Sequence, residues 1–327
     1  MAETADAAPA HSGVKQPGLA AAFLLLAFAA QCLLAILRYS SSESDGLSAL
    51  VPRAGALLVG TLLGASIWYV GRRLYGPLCA LIALALYCFS PRMIQQGAGS
   101  ARMGLASWGF FGAIFVAMAA AHTLYAVPGV LSPGQRFRRP VMIGLALGVG
   151  SYSLPAVALA VPLALVFMLF LAPRRRLEAA GLWLVGCASG AIVFIVMQRL
   201  GPHVALFNRL PSSGHPDDLG QLNPVLLALT AIALAAWLGR RRSRFFGNTA
   251  PLLALAAYGL LLAFVLADRD LWSVWSPSAT IWNPALPMLF MFIAGVFADL
   301  LETRWRKQVA AGTIVLLVAY AAIGVLG

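Results

Sequence analysis

The sequence predicts an all-α polytopic membrane protein of about eleven transmembrane helices, some of them short or broken. Three observations carry this. Hydrophobic residues are 61% of the 327 and charged residues only 10%, far below the roughly 25% charged composition of a water-soluble domain. The mean hydropathy is +0.85. The apolar stretches run for about 15 to 22 residues with no alternation of polar and apolar positions. Backbone in hydrocarbon must satisfy its own hydrogen bonds, and without a period of two it does so as helices rather than as a barrel.

The elements follow in chain order. Met1 to Pro17 is polar and Ala-rich and predicts a disordered tail. Gly18 to Leu37 is too long for a signal-peptide core and reads as a retained first span, 18–38. The second, 49–71, ends at Arg72-Arg73. The third, 77–90, starts at a proline and stops at Ser90-Pro91. The fourth, 105–125, follows Arg102. Between 140 and 172, Pro140, Gly148, Gly150, Pro155 and Pro162 interrupt a run too long for one span, so two short or broken helices are expected, 140–152 and 154–172. Broken backbone at that depth survives only against protein or water, so this region is a candidate cavity wall. The remaining spans are 177–198, 223–239, 249–267, 284–302 and 309–326. No internal repeat or soluble insertion interrupts them, so residues 18–327 form a single integral membrane domain.

The net charge of +12 would point to nucleic acid in a soluble chain. Here the charge sits in the connections. Lys15 and five clusters, Arg72-Arg73, Arg136/Arg138/Arg139, Arg174-Arg175-Arg176, Arg240 to Arg244 and Arg304/Arg306/Lys307, hold sixteen of the 23 basic residues. The other seven lie at or in the alternate connections. Such asymmetry sets orientation, clustered side in the cytoplasm, and brings the arginines to anionic lipid headgroups. No nucleic-acid partner is expected. An odd number of spans then puts the N-terminus in the cytoplasm and the C-terminus outside. Cys32, Cys79, Cys88 and Cys187 all fall in apolar runs without metal spacing and read as helix-packing residues.

The outer connections, 39–48, 91–104, 199–222 and 268–283, hold the candidate chemistry. Glu43 and Asp45 can act as a base or offer oxygen ligands to a divalent cation; the alternative is a solvated, Ser-rich connector. In the second connection Arg92 and Arg102 can hold a lipid phosphate bidentately, beside Gln96 and with Gly97 and Gly99 permitting close backbone approach. Ordinary snorkelling of arginine to headgroups is the alternative. The third holds His203, Arg209, His215, Asp217 and Asp218; its His-Pro-Asp-Asp run can offer metal ligands, but no further ligand spacing supports a metal and the residues read as a polar loop surface. Trp272, Trp275 and Trp282 near Arg269 form an interfacial aromatic belt or a platform for stacking on a sugar ring. No phosphate-binding loop, nucleophile elbow, zinc signature or dinucleotide fingerprint occurs. No acid lies deep in a span, which weighs against an ion-coupled transporter.

Two passages together resemble a known family. Val51-Pro52-Arg53 leads through an apolar span into Tyr69-Val70-Gly71-Arg72-Arg73-Leu74-Tyr75-Gly76-Pro77, and the following Ala/Leu helix ends at Ser90-Pro91. Thr280-Ile281-Trp282-Asn283-Pro284 leads into the tenth span. This pattern resembles the membrane-embedded GT-C glycosyltransferases, in particular the dolichyl-phosphate-mannose protein mannosyltransferase-like group and its bacterial relatives. The resemblance implies a GT-C-like helix arrangement, a bacterial inner-membrane location and transfer of a sugar from a polyprenyl-phosphate carrier at the outer face. It implies Asp45 or Glu43 as the base, Arg92, Arg102 and Arg269 on the lipid phosphate, and Gln96 and Trp282 on the substrate. The chain departs from the pattern in two places. Its first outer connection is about a dozen residues where the family carries amphipathic helices, and Arg102-Met103-Gly104 has glycine where a second acid commonly follows. Those departures imply a second reading, a catalytically silent relative serving as a structural or lipid-binding subunit among other membrane subunits.

The charge asymmetry predicts a labelling pattern. In a cysteine-free background, Ser212→Cys should react with a membrane-impermeant maleimide in intact cells and Arg174→Cys only after permeabilisation. Equal labelling of both sites would overturn the orientation.

Overall fold

A computed structural model describes residues 16–40, 46–99, 101–124, 133–200, 223–239, 249–267 and 283–326. Among them the fold is all helix, with no strand. Twelve α-helices and one 3-10 turn follow in order. They are α1 (Pro17–Ser40), α2 (Gly46–Tyr75), α3 (Pro77–Cys88), α4 (Pro91–Gly99), α5 (Ala101–Thr123), α6 (Pro133–Ser153), the turn Pro155–Leu159, α7 (Ala160–Leu171), α8 (Arg176–Leu200), α9 (Pro224–Gly239), α10 (Ala250–Ala267), α11 (Leu286–Leu301) and α12 (Arg306–Leu326).

Among the described residues six stretches are long and apolar enough to cross a membrane, at α1, α2, α5, α8, α11 and α12, and α3 with α4 makes a seventh if the bent pair is one span. The expected eleven are not all of this kind. Pro155–Leu171, α9 and Ala250–Ala263 are apolar but shorter, and α6 begins in the arginine cluster. Helix α6 also corrects the expected break at residue 140. It starts at Pro133 and runs through Pro140, because a proline here removes one hydrogen bond in the charged first half of the helix, not in its apolar half.

Contacts between named residues fix the direction of each helix. Phe28 meets Gly60 and Leu25 meets Gly64, so α1 and α2 are antiparallel. Gly71 packs on Ala80 and Tyr87 on Gly64, which turns α3 back along α2. Helix α5 runs alongside α2, with Val59 on Gly104 and Trp108 Nε1 donating to Ser66 Oγ at 3.2 Å.

The tightest packing involves α6, which has small residues on two faces. Gly144 and Gly148 lie on Gly186, Ser189, Gly190 and Val193 of α8, in parallel register. Ala146 and Gly150 lie on Gly109 and Gly112 of α5, in antiparallel register. In lipid there is no hydrophobic gain from bringing two apolar helices together, so small-xxx-small faces that let backbones touch supply the association energy through van der Waals contact. Parallel α6 and α8 also settle how 140–172 is arranged. The chain goes out along α6, breaks at Leu154-Pro155, and returns along the turn and α7, so the clusters around residues 138 and 174 lie at one end of the bundle.

The same reasoning places the others. Asn223 Nδ2 donates to Tyr320 O at 3.2 Å, so the start of α9 meets the end of α12. Tyr320 Oη donates to Leu86 O at 3.1 Å, so α12 ends beside the end of α3. Arg72 and Arg73, Arg138 and Arg139, Arg174 to Arg176, and Arg304 to Lys307 therefore share one end. Helices α5 and α11 form the centre of the bundle, while α8 and α12 expose most of their apolar surface.

These contacts predict a graded response to glycine substitution. A Cβ on Gly144 would lie 2.5 Å from Gly186 O and 2.7 Å from Gly190 N, backbone atoms that cannot step aside. Gly144→Val should cost at least the 1–3 kcal/mol typical of overpacking, read by SDS-titrated unfolding in bicelles. Gly181→Ala, which meets nothing within 4 Å, should be neutral or slightly stabilising. Similar losses for both would mean that α6 and α8 do not touch in this way.

Candidate functional site

The end of the bundle opposite the arginine clusters carries a layer of buried polar side chains, and it is built around a broken helix. Helix α3 has twelve residues, about 18 Å at 1.5 Å per residue, against a hydrocarbon core of about 30 Å. It stops at Phe89-Ser90, and α4 leaves at 66°. Such a stop frees the carbonyls of Leu86, Tyr87 and Cys88, which lipid cannot satisfy. All three find protein donors. Phe89 N still donates to Ala85 O at 3.1 Å, and Ser90 N donates to Tyr87 O at 3.2 Å. Tyr320 Oη serves Leu86 O, and Gln31 Nε2 donates to Cys88 O at 3.4 Å. Helix α4 then lies across α1, with Gly97 pressed on Phe28 and Cys32.

That contact corrects the expectation for Gly97, while a Cβ on Gly99 would meet nothing within 4 Å. A Cβ on Gly97 would meet Cys32 Sγ at 2.8 Å, so the missing side chain makes room for α1, not for a ligand. The expected loop 91–104 is itself corrected, since 91–99 is helix α4 and α5 starts at Ala101. Pro91, with its fixed φ and no N–H to lose, opens α4 in the manner usual for a first helical position.

The familiar Gly71 to Gly76 passage likewise has a local reason. A Cβ on Gly71 would lie 2.9 Å from Ala80 Cα, and Gly76 has φ +93°, a region glycine enters without strain. The two glycines let α2 reverse tightly into α3 at the arginine-rich end.

Of the residues singled out from sequence, Arg92, Gln96 and Arg102 fall within the description. Arg92 opens α4 and is half-buried. Arg102 turns toward α6. Its Nη2 donates to Tyr152 O at 3.2 Å, and its guanidinium stands 5.1 Å over the Tyr152 ring. It thus caps the C-terminal end of α6, where a cation also meets the negative end of the helix dipole. Five N–H donors are available to an arginine; the buried Nε has no partner, so the group retains donor capacity. Arg53, 7% exposed, joins this end from α2 one turn before Ala56, which packs on Ala101.

Gln96 is 8% exposed and Ser107 fully buried. Gln96 Nε2 donates to Ser107 Oγ at 3.0 Å, and Ser107 Oγ donates onward to Asn283 O at 3.4 Å. Gln96 Oε1 and Asn283 Oδ1 are buried without partners. This chain joins α4, α5 and the lead-in to α11 across 176 positions of sequence. Ser107 and Asn283 were not singled out from sequence; a lone serine in an apolar run carries no pattern, and Asn283 read only as part of the Trp282-Asn283-Pro284 lead-in.

Glu43, Asp45, Arg269 and Trp282 lie outside the described residues, as does the 1–15 part of the expected tail. Helix α1 reaches Ser40 and α2 starts at Gly46, so the first outer connection is five residues, 41–45, shorter than the expected 39–48. Among the described residues no three His, Cys, Asp or Glu side chains converge as metal ligands.

The Arg102 contacts carry a measurable prediction. Arg102→Met should lower unfolding stability by about 2 kcal/mol, the scale of a charge-assisted hydrogen bond plus its ring contact. Arg102→Lys should recover part of it, keeping a donor but not the planar fork. Wild-type stability in the methionine variant would show that Arg102 does not cap α6.

Compared with known proteins, the chain matches no family model, no curated protein and no solved structure.

Proposed function

We propose that this chain is a GT-C-like integral membrane glycosyltransferase acting on a polyprenyl-phosphate-linked sugar at the outer face of a bacterial inner membrane. In this reading the chain crosses eleven times, the arginine-rich end is cytoplasmic with the N-terminus, and the C-terminus is periplasmic. Asp45, with Glu43 as the neighbouring acid, is the base that takes the acceptor hydroxyl proton. Arg92, Arg102 and Arg269 hold the carrier phosphate, and Gln96 and Trp282 face the sugar.

One observation supports this reading above the others. Gln96, chosen from the second connection, is tied through Ser107 to Asn283, the residue after Trp282 in the fourth. A residue of the second connection and the lead-in to α11 thus meet at one corner. Arg102 starts α5 at the same end, and Arg92 starts α4 there. A phosphate on a polyprenyl chain would sit at the interface where those helices begin, with guanidinium donors on one side and neutral amides on the other.

A second reading draws on a different observation. Only residues 41–45 separate α1 from α2, too few for the amphipathic helices that bear the acid in the family resembled. That favours a catalytically silent, GT-C-derived subunit that binds lipid or braces a larger membrane assembly.

Turnover separates the two. Protein in nanodiscs, given a polyprenyl-phosphate hexose and a mixture of acceptor alcohols, should release carrier phosphate. Asp45→Asn should reduce that by about a hundredfold or more, the weight of a general base. Retained turnover in Asp45→Asn removes Asp45 from the mechanism. Absence of turnover in the wild type, together with co-purifying membrane subunits after gentle extraction, establishes the second reading.

A further inference from the structure

At the arginine-rich end, five basic side chains flank the start of α3. Arg72 and Arg73 close α2, and Arg304, Arg306 and Lys307 lie where α11 passes into α12. Two contacts bring these segments together. A Cβ on Gly71 would lie 2.9 Å from Ala80 Cα, and Asp299, in the last turn of α11, acts electrostatically on Cys79. Cys79 and Ala80 are neighbours in the first turn of α3, and α2 and α11 also touch each other directly. The two basic segments therefore stand about one interhelix distance apart, roughly 8–10 Å.

All five side chains are exposed. Among the described residues none of the five is paired with an acid. Other basic residues of this end are engaged: Arg139 donates to Ala119 O, and Arg175 to Glu178 Oε2 at 3.5 Å. The acids of the flanking segments are Asp299 and Glu302, so the positive charge of this face exceeds what the protein answers.

The apolar neighbours of that charge decide the class of anion. Trp305 is 54% exposed, with the Arg304 guanidinium 5.4 Å over its ring. Leu74 and Leu78 are exposed on either side of the α2–α3 reversal. A tryptophan held open beside arginines at the end of an apolar span suits the depth of lipid headgroups. A nucleic acid or an acidic protein would instead meet this apolar surface within one helical turn of the charges. The paired segments decide the headgroup. A lipid with one phosphate engages one segment, whereas two phosphates on a short linker can reach both. Basic residues gathered between helices at a charged end suit such headgroups.

We propose that Arg72, Arg73, Arg304, Arg306 and Lys307, with Trp305, form a binding site for a lipid whose headgroup carries two phosphates, of the diphosphatidylglycerol type. The site goes beyond the general attraction of a basic end for anionic membranes, because it requires both segments at once. It lies at the end of the bundle opposite the Gln96 corner and does not depend on sugar transfer.

The test measures lipid binding to the full chain. Protein in mild detergent is titrated with diphosphatidylglycerol, and with phosphatidylglycerol at twice the concentration to match charge, and adducts are read by native mass spectrometry. The wild type should bind one diphosphatidylglycerol about tenfold or more tightly than phosphatidylglycerol. Arg72→Gln with Arg306→Gln should weaken that binding by about thirtyfold, the weight of two basic residues near an anionic surface. Arg174→Gln with Arg176→Gln removes the same charge from the same end and should change it by no more than about twofold, as for independent sites. Equal binding of the two lipids at matched charge, or equal losses in the two double variants, would mean unspecific attraction and would overturn the site. Displacement of the lipid by an equal concentration of inorganic pyrophosphate would make the ligand a soluble diphosphate, and the lipid assignment would fall. Should the Arg72/Arg306 variant fail to fold, Arg73→Gln with Lys307→Gln removes one cation from each segment and decides by the same comparison.

Discussion

Helix α6 touches α5 on one side and α8 on the other with almost nothing between the backbones, and most of the bundle is arranged by that double contact. Gly144 and Gly148 face one neighbour; Ala146 and Gly150 face the other. Offsets of four along the helix keep each pair on its own stripe, and an offset of two separates the stripes by about 200°. A helix built this way is a spacer that admits two partners at minimal distance. In water such a helix would be poorly held, because glycine contributes no apolar area. In lipid the close approach is what holds it, since burial of apolar side chains gains little there. The parallel pairing with α8 then forces the intervening segment to run back across the bundle, so the short turn and α7 follow from the glycines of α6.

The second organising feature is how the bundle tolerates backbone breaks. At the end of α3 the carbonyls of Leu86, Tyr87 and Cys88 lose their helical partners, and two of the replacements come from side chains far away in sequence, Gln31 on α1 and Tyr320 on α12. At the end of α6 the donor is Arg102. These polar side chains are few, and each answers a specific backbone debt in a medium that supplies no water. Because the breaks fall at the same end of the molecule, so do their partners, which explains why one end of an otherwise apolar bundle has a polar layer. Gln96 and Asn283 belong to that layer, and their side-chain oxygens are buried without partners. The opposite end uses another chemistry, exposed arginines, with Arg175 and Glu178 paired at 3.5 Å on the surface.

Residues in the outer connections thus divide by what they touch. Arg102 stood out in the sequence as a phosphate ligand; it caps the end of α6 and keeps its buried Nε unpartnered. Gly97 stood out as a place for a ligand to approach, and α1 occupies that space. Gln96, expected to face a substrate, is buried and donates to Ser107. The motif passage around Gly71 and Gly76 has a steric explanation that any tight α2–α3 reversal would need, so its presence speaks for helix arrangement more than for chemistry.

The sequence by itself determined the helical class, an apolarity that suits a membrane and the clustering of the basic residues. Each of these depends on composition and on local periodicity: 61% apolar residues, runs without alternation, and arginines concentrated in every second connection. Span boundaries near proline and arginine were legible to within a few residues for α1, α3, α8 and α11, because helix starts and charged ends are local signals. Tertiary structure alone decided the rest. That α4 and α5 occupy an expected loop depended on α1 being there to receive Gly97. The return of the chain through 155–171 depended on α6 and α8 lying parallel. Ser107 became a bridging residue only when residue 283 arrived beside it, a contact 176 positions long. Hydrogen-bond satisfaction in lipid is a property of the assembled bundle, and no window of sequence contains both the broken backbone and the side chain that repairs it.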